Sequence, residues 1–436
     1  MKIKTTLFLV LMLAMGLSYA QETKPLNLQE AVSLALGNST EIKISDSKVL
    51  TAENELNVIK NNQYPDFKLS GQYMYLTNVD MNLKYNTGST DSGSESSGAT
   101  PSPNRLALGM ATLTQPIFSG FQIKNAIKAG EQNYEAEVLM AKNDKEQIAL
   151  AAINGYINLY KATQTVSLIE ENLKSAHQRV VDFKNMEDNG LLAKNDRLKA
   201  ELQEANIQIA LDEAIKTRYM INYQLLTLLK LPPNTTIETS DADFGIAQSN
   251  PSVSISRFDV QAMEMQKQAA ESQVKIAKAK YYPSIYFSGG YIAADIQDFI
   301  TITNAMNFGV GISYNISDIF KAKSHIKAAK SKAQTLEYSI EHANEQINIQ
   351  VENARQNYQL ALKKLTVYTK SEEQATENYR IVKDKYDNGL QDTNDLLEAD
   401  VQKLQSKIDL ANAQADITRT YYEFLNTQGR LTSNLN

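Results

Sequence analysis

Apolar and polar positions recur along the chain with two periods, and the switches between them mark its elements. Asn27-Leu28-Gln29-Glu30 reads as an N-cap with Glu three residues on, opening a helix through Ala31, Leu34 and Ala35. The helical pattern is interrupted near Gly37–Thr40, resumes to about Asn62, and stops at Tyr64-Pro65. Phe67, Leu69, Gly71, Tyr73 and Tyr75 then alternate with Lys68, Ser70, Gln72 and Met74, a period of two that predicts a strand. Thr77–Asn104, rich in Ser, Gly, Thr and Pro, reads as a polar loop. A second strand follows, with Leu106, Leu108 and Met110 on one face and Ala107, Gly109 and Ala111 on the other, ending at Gln115-Pro116.

From Gln122 to Glu187 there is no proline, and a seam runs through Ile148, Ala152, Gly155, Leu159, Ala162, Val166, Ile169, Leu173, Ala176, Val180 and Phe183. Its alternating steps of four and three predict a coiled-coil helix, roughly 100 Å long at 1.5 Å per residue. A return helix continues that spacing at Leu198, Leu202, Ala205 and Ile209 to about Leu231, and Pro232-Pro233 ends it. A polar segment to Pro251 links this half to the next.

The second half repeats each step. Ala52, Glu53, Lys60, Tyr64, Pro65, Ser70, Gly71 and Tyr73 recur at one offset as Ala270, Glu271, Lys278, Tyr282, Pro283, Ser288, Gly289 and Tyr291. A strand at Ile285–Tyr291, a shorter polar loop near Ala294–Asn304 and a strand at Met306–Tyr314 precede another long seam, Ile347 to Tyr386, broken at Glu372. The last helix carries Leu397, Val401, Leu404, Ile408, Ala411 and Ala415. The repeat is plainest at the turns: nine of the sixteen positions 188–203 recur at 387–402, including Asp-Asn-Gly-Leu. Gly190 and Gly389 suit a left-handed helix end, and Asn394 or Asp395 can cap the helix that follows. The predicted organisation is a leader at 1–20, a first repeat at 21–231, a linker at 232–253 and a second repeat at 254–436.

Four strands with apolar faces beside helices too polar for lipid match the wall of a membrane barrel. Four strands cannot close, and an open edge in lipid leaves backbone groups unsatisfied. Two copies would supply eight strands, whose interior side chains fill; three would supply twelve, wide enough for a lumen. Tyr73, Tyr75, Tyr291 and Tyr314 read as an interfacial girdle. The same helices also suit a secreted structural coiled-coil or adaptor protein with a small β-domain, which membrane fractionation and detergent dependence would separate.

Composition narrows the address. Met1–Ala20 has the lysines, apolar run and Ser18-Tyr19-Ala20 site of a secretory leader, so the mature chain is expected to begin at Gln21. Export with no cysteine excludes disulfides and thiolate chemistry. The net charge of −6 argues against nucleic acid as a partner. His177, His325 and His342 have no ligand spacing, and no phosphate loop or nucleophile–base set occurs, so no enzyme and no cofactor are expected. Asp395 and Glu398 share a face on the first turn of the last helix, where complementing the helix dipole would account for a few tenths of a kcal/mol.

The sequence resembles the outer-membrane efflux channel family, the TolC type. The likeness rests on the opening NLQEAVSLAL, the two Tyr-Pro-then-strand junctions, QPIFSG after the second strand, and the turn Tyr-x-x-Gly-Leu…Asp…Glu. It implies a mainly α chain with membrane β: a homotrimer whose twelve strands form one outer-membrane barrel and whose helices form an α-barrel across the periplasm. It further implies a passive duct of a tripartite efflux or secretion system, opened by a periplasmic adaptor and an inner-membrane pump driven by protons or ATP. By that likeness Asp188–Asn195 and Asp387–Asn394 are the periplasmic tips, and Asp395 and Glu398 form acidic rings. Tyr386 matches a tyrosine that bonds an aspartate of the opposed turn, here Asp196. Asn195 stands where the family can carry threonine. Gln391 departs from the arginine of the best-known members, so that link is neutral here and weaker than a charge-assisted one.

Overall fold

The computed structural model describes residues 23–77, 103–244, 254–297 and 300–435. The leader, most of the polar loop after the first strand and the end of the 232–253 linker lie outside them. In chain order the elements are β1 (Thr23–Leu26), α1 (Leu28–Asn38), α2 (Thr40–Asn61), β2 (Asp66–Tyr75), β3 (Arg105–Ser119), α3 (Gln122–Asp188) and α4 (Lys194–Leu229). Then come β4 (Thr236–Thr239), α5 (Phe258–Ala279), β5 (Ser284–Ile296), β6 (Ile300–Ser313), α6 (Ile316–Asp387), α7 (Thr393–Thr427) and α8 (Leu431–Leu435). The order helix, strand, strand, long helix, return helix occurs twice, from α2 to α4 and from α5 to α7. The cap read at Asn27 is a capping box: its side chain accepts the Glu30 N–H at 2.8 Å, and Glu30 accepts the Asn27 N–H at 3.2 Å.

The chain divides into two compact units. One comprises Met1–Lys48, Val138–Ala262 and Glu341–Asn436. Its main core sets Ile153, Tyr156, Ile157 and Leu159 of α3 against Leu225, Leu226 and Leu229 of α4, Val32 and Ala35 of α1, and Leu425 and Leu431. Fully buried Tyr156 donates to the Asp243 carboxylate at 2.5 Å and accepts the Ser240 N–H at 2.9 Å, which satisfies its hydroxyl inside the core. Beside it, β1 and β4 pair in parallel, Thr23 to Thr236 through Leu26 to Thr239. The sequence pattern misses that ladder because four-residue strands offer too few positions for a period to register.

The α3 seam is as read, with Ile148, Ala152, Leu159, Val166, Ile169, Ala176 and Phe183 buried. On α4 the expected seam is wrong by phase. Leu198, Leu202 and Ile209 are exposed, whereas Ile207 and Leu211 pack against Val166, Ile169 and Ala176, and Ala200 against Phe183. On α7, Leu396 and Ala399 are buried in place of Leu397 and Val401. On α4 only one of two apolar stripes meets a neighbour among the described residues. Further along α7 the expected seam does pack inward, with Leu404 and Ile408 half-buried and Ala415 buried.

The second unit comprises Val49–Glu137 and Met263–Ile340 and holds a four-stranded antiparallel sheet in the order β2-β3-β5-β6. Two strand ends differ from expectation. β3 runs through Pro116 to Ser119, with a bulge between Pro116 and Phe118 that accommodates the missing N–H. The loop expected near Ala294–Asn304 is mostly ladder, since β5 reaches Ile296 and β6 starts at Ile300, with its own register shift after Ile292. Opposed residues share a face, so Tyr73 opposite Ala107 and Leu69 opposite Ala111 put β3's small residues on the aromatic face. Leu108 instead lies opposite Gln72. That face continues through Tyr291, opposite both Ala111 and Met306, to Phe308 and Val310, and its β2 and β6 side chains are exposed. Tyr291 sits mid-strand, where its hydroxyl donates to the Thr303 carbonyl at 2.6 Å, so it does not belong to an end girdle. Among the described residues no helix is long and apolar enough to cross a membrane.

Candidate functional site

Both Asp-Asn-Gly-Leu turns fold alike because the same glycine does the same work. Gly190 and Gly389 have φ of +73° and +71°, the left-handed region that spares glycine a Cβ clash. The Leu191 N–H reaches back to the Met186 carbonyl at 2.8 Å and Gly190 to Glu187 at 2.8 Å. Leu390 to Lys385 at 2.8 Å and Gly389 to Tyr386 at 2.9 Å repeat that pair. This is the Schellman arrangement, which satisfies carbonyls the helix end leaves open. It leaves the following leucines in solvent, Leu191 74% and Leu390 75% exposed.

The next helix starts differently in the two turns. α7 is capped by Asp392, whose carboxylate accepts the Asp395 N–H at 3.0 Å, and neither Asn394 nor Asp395 serves. At α4 the capping position is Ala193, which has no side chain to offer. The two turns meet in a small cluster of Phe183, Ala200 and Leu396, with Met186, Leu192, Tyr379, Val382 and Tyr386 packed around it.

Asp395 is half-buried and accepts a hydrogen bond from the Gln391 amide, while exposed Glu398 accepts from Gln402 at 3.3 Å. Both acids thus have only neutral partners. Asp196, the counterpart of Asp395, pairs with Lys199 at 3.4 Å, and Asn195 beside it is exposed. Tyr386 stacks on Phe183 with ring centroids 5.6 Å apart, and its hydroxyl is buried with no hydrogen-bond partner among the described residues. The bond between Tyr386 and Asp196 implied by resemblance is therefore not made within one copy. Burial pushes the phenol's pKa up and the Asp196 charge adds to that, while the nearby Thr393 hydroxyl works the other way.

Sequence reasoning missed the buried ion pair of the site. Arg179 of α3 is 8% exposed and bonds buried Asp400 of α7 at 3.0 Å and the Tyr379 hydroxyl of α6 at 3.1 Å. Asn172 donates to the same Asp400 oxygen at 3.3 Å, and the Lys403 ammonium lies 4.5 Å from the Tyr379 ring centre. Burial alone would lower the Arg179 pKa, but the Asp400 carboxylate overcomes it and holds the guanidinium charged, with its pKa raised. The signal was available. Arg179 lies three residues after Ala176 and four before Phe183, in phase with the buried seam, and Asp400 lies four after Leu396.

Long paired helices, a four-stranded sheet with one exposed apolar face and a duplicated turn are the features this chain shares with known proteins. Residues 252–426 match the family model of outer membrane efflux proteins. The chain is 24% identical over 361 residues to outer membrane efflux protein BepC of Brucella suis biovar 1 (strain 1330), covering 79% of this chain and 77% of that one. In fold it is similar to CusC, with a TM-score of 0.78 at 16% identity over 92% of this chain and 91% of the other. The outer membrane protein VceC of Vibrio cholerae gives 0.75 at 16% identity over 92% and 96%. In sequence and fold the chain is thus similar to outer-membrane efflux channels of the TolC type, which are transport proteins.

Proposed function

We propose that three copies of this chain form a passive exit duct of a tripartite efflux or secretion system, opened by a periplasmic adaptor and an inner-membrane pump. The observation that carries the reading is the open sheet. Among the described residues β2 and β6 are its outer strands, each with one edge unpaired, and the face they carry is apolar and exposed. In lipid each unpaired backbone group costs several kcal/mol, so edges must meet edges of other copies, and three sheets of four strands enclose a lumen. The unpartnered stripe Leu198, Leu202 and Ile209 on α4 supports the same assembly, since helices of a closed α-barrel pack on both sides. The two-repeat organisation, 21–231 and 254–436 about the 232–253 linker, belongs to this reading.

The exposed leucines of the two turns are the proposed adaptor contacts. Asp395 and Glu398 are the proposed acidic rings, with Gln391 a neutral neighbour. Tyr386 and Asp196 hold the closed tip by hydrogen bonding in the assembly, beside Asn195. The test is mass and conductance in detergent and planar bilayers. A trimer with a cation-selective pore, whose conductance rises in Tyr386→Phe and in Asp196→Ala, is the expected result. A water-soluble monomer overturns the duct. Unchanged conductance in both variants overturns the gate alone.

A further inference from the structure

All four strand–helix junctions lie at one end of the sheet. Asp66 starts β2, Ser119 ends β3, Ser284 starts β5 and Ser313 ends β6, and Ser119 pairs with Ser284 as Ser284 does with Ser313. Aromatic side chains collect there. Phe121 contacts Phe118 edge-on at 5.2 Å and Tyr282 at 6.2 Å, with Tyr64, Tyr314 and Phe320 exposed nearby in sequence. Aromatics of this kind mark the depth at which a bilayer gives way to headgroups.

Lysines follow at once. Lys124 lies two residues into α3, Lys321 and Lys323 are the sixth and eighth residues of α6, Lys278 lies in the last turn of α5 and Lys280 just past its end; all are exposed. The acids of the same turns are Glu55, Asp66 and Asp318. The ion pairs that lysines make among the described residues involve Lys161, Lys199, Lys267, Lys383 and Lys407, none of this band. Lys278 at a helix C-terminus complements the helix dipole. Lys124 sits in the first turn of α3, where a cation opposes the dipole, and Lys321 and Lys323 lie past the first turn of α6, beyond its reach, so helix polarity supplies no reason for any of the three. At 1.5 Å per residue they lie about 3 to 10 Å beyond the starts of their helices. That spans the headgroup layer, roughly 5–8 Å on each side of the hydrocarbon.

We propose that this band binds anionic phospholipid headgroups of the periplasmic leaflet and fixes the depth of the sheet in the membrane. The inference rests on the outer-membrane placement and adds headgroup selectivity to it. Each lysine at an anionic surface is worth roughly fivefold in affinity, so three give about a hundredfold.

The assembled protein in detergent is titrated with phosphatidylglycerol, phosphatidylcholine or inorganic phosphate while its melting temperature is followed. Phosphatidylglycerol should raise it and the other two should not. The variant K124Q/K321Q/K323Q should need about a hundredfold more phosphatidylglycerol for the same rise, and K321Q alone about fivefold more. Equal stabilisation by phosphatidylcholine, reproduction of the effect by inorganic phosphate, or unchanged responses in both variants would overturn the proposal. Insertion into phosphatidylcholine vesicles is scored separately. Wild type that fails to insert contradicts the membrane reading, whereas insertion with no headgroup preference overturns only the lysine band.

Discussion

The turns at Asp188–Asn195 and Asp387–Asn394 share one backbone, down to the two hydrogen bonds behind each glycine, yet their side chains have been put to opposite uses. In the first turn Arg197 bridges Glu187 and Glu201, and Lys199 answers Asp196, so these three acids each have a base. At the matching places of the second turn stand Tyr386, Leu396, Asp400, Glu398 and Asp395. The bridging arginine has become a buried leucine, the lysine has become a glutamate, and Asp400 has turned inward to Arg179. Duplication therefore kept what the backbone needs and released the charges. Ahead of α7, Asp387 still pairs with Lys383 at 2.7 Å. At the start of the following helix, however, one turn pairs its acids with bases, while the other leaves Asp395 and Glu398 to neutral partners beside a buried ion pair. An ion pair this enclosed gives little net stability but costs much when half of it is removed.

Breaking that buried pair should have the largest effect. Arg179→Met leaves Asp400 charged and unpaired, and should lower stability by about 3–5 kcal/mol in thermal or denaturant unfolding. Adding Asp400→Leu should recover most of it. Arg197→Met in the first turn, where the bridge reaches water, should shift the midpoint far less; equal shifts would mean that burial does not distinguish the two turns.

The shared backbone gives a smaller, symmetrical effect. Gly190→Ala and Gly389→Ala each force a Cβ into the left-handed region and should cost about 1–2 kcal/mol. Neither site has a heavy atom within 4 Å of the new Cβ, so strain alone should act and the two costs should agree. A much larger loss at one of them would reveal packing around that turn in the assembly.

The charge difference is read in conductance rather than stability. Asp395→Asn with Glu398→Gln should abolish block by multivalent cations and weaken cation preference while the assembly survives. Asp196→Asn, whose charge Lys199 already offsets, should change selectivity little. If all three carboxylates count equally, the acids of the second turn do not face the pore.

The smallest effect is one of pH. The Tyr386 phenol has a raised pKa in the folded chain, chiefly through burial, so the unfolded chain, near pKa 10, ionises first. The stability it contributes is complete below pH 10 and is lost as pH rises from there toward the folded value. Tyr386→Phe should flatten that part of an alkaline unfolding profile, and an unchanged slope would assign the loss to other groups.

Much of this molecule was written into its sequence locally. Period two gave the strands, the three–four seam gave α3, Asn27 and Glu30 gave a capping box, and Asp-Asn-Gly-Leu gave both turns, because each depends on residues within a few positions. Phase on a two-striped helix was not legible. Leu198, Leu202 and Ile209 satisfy the heptad as well as Ala200, Ile207 and Leu211 do, and only the neighbouring helix decides which stripe is buried. Strand register was equally hidden, since the partner residues that set β3's small side chains under the aromatic face lie more than thirty positions away. The pairing of Arg179 with Asp400 is of the same kind. Charge on a helix reads as solvated until tertiary structure removes the water, and 221 residues separate the two partners that make its removal tolerable.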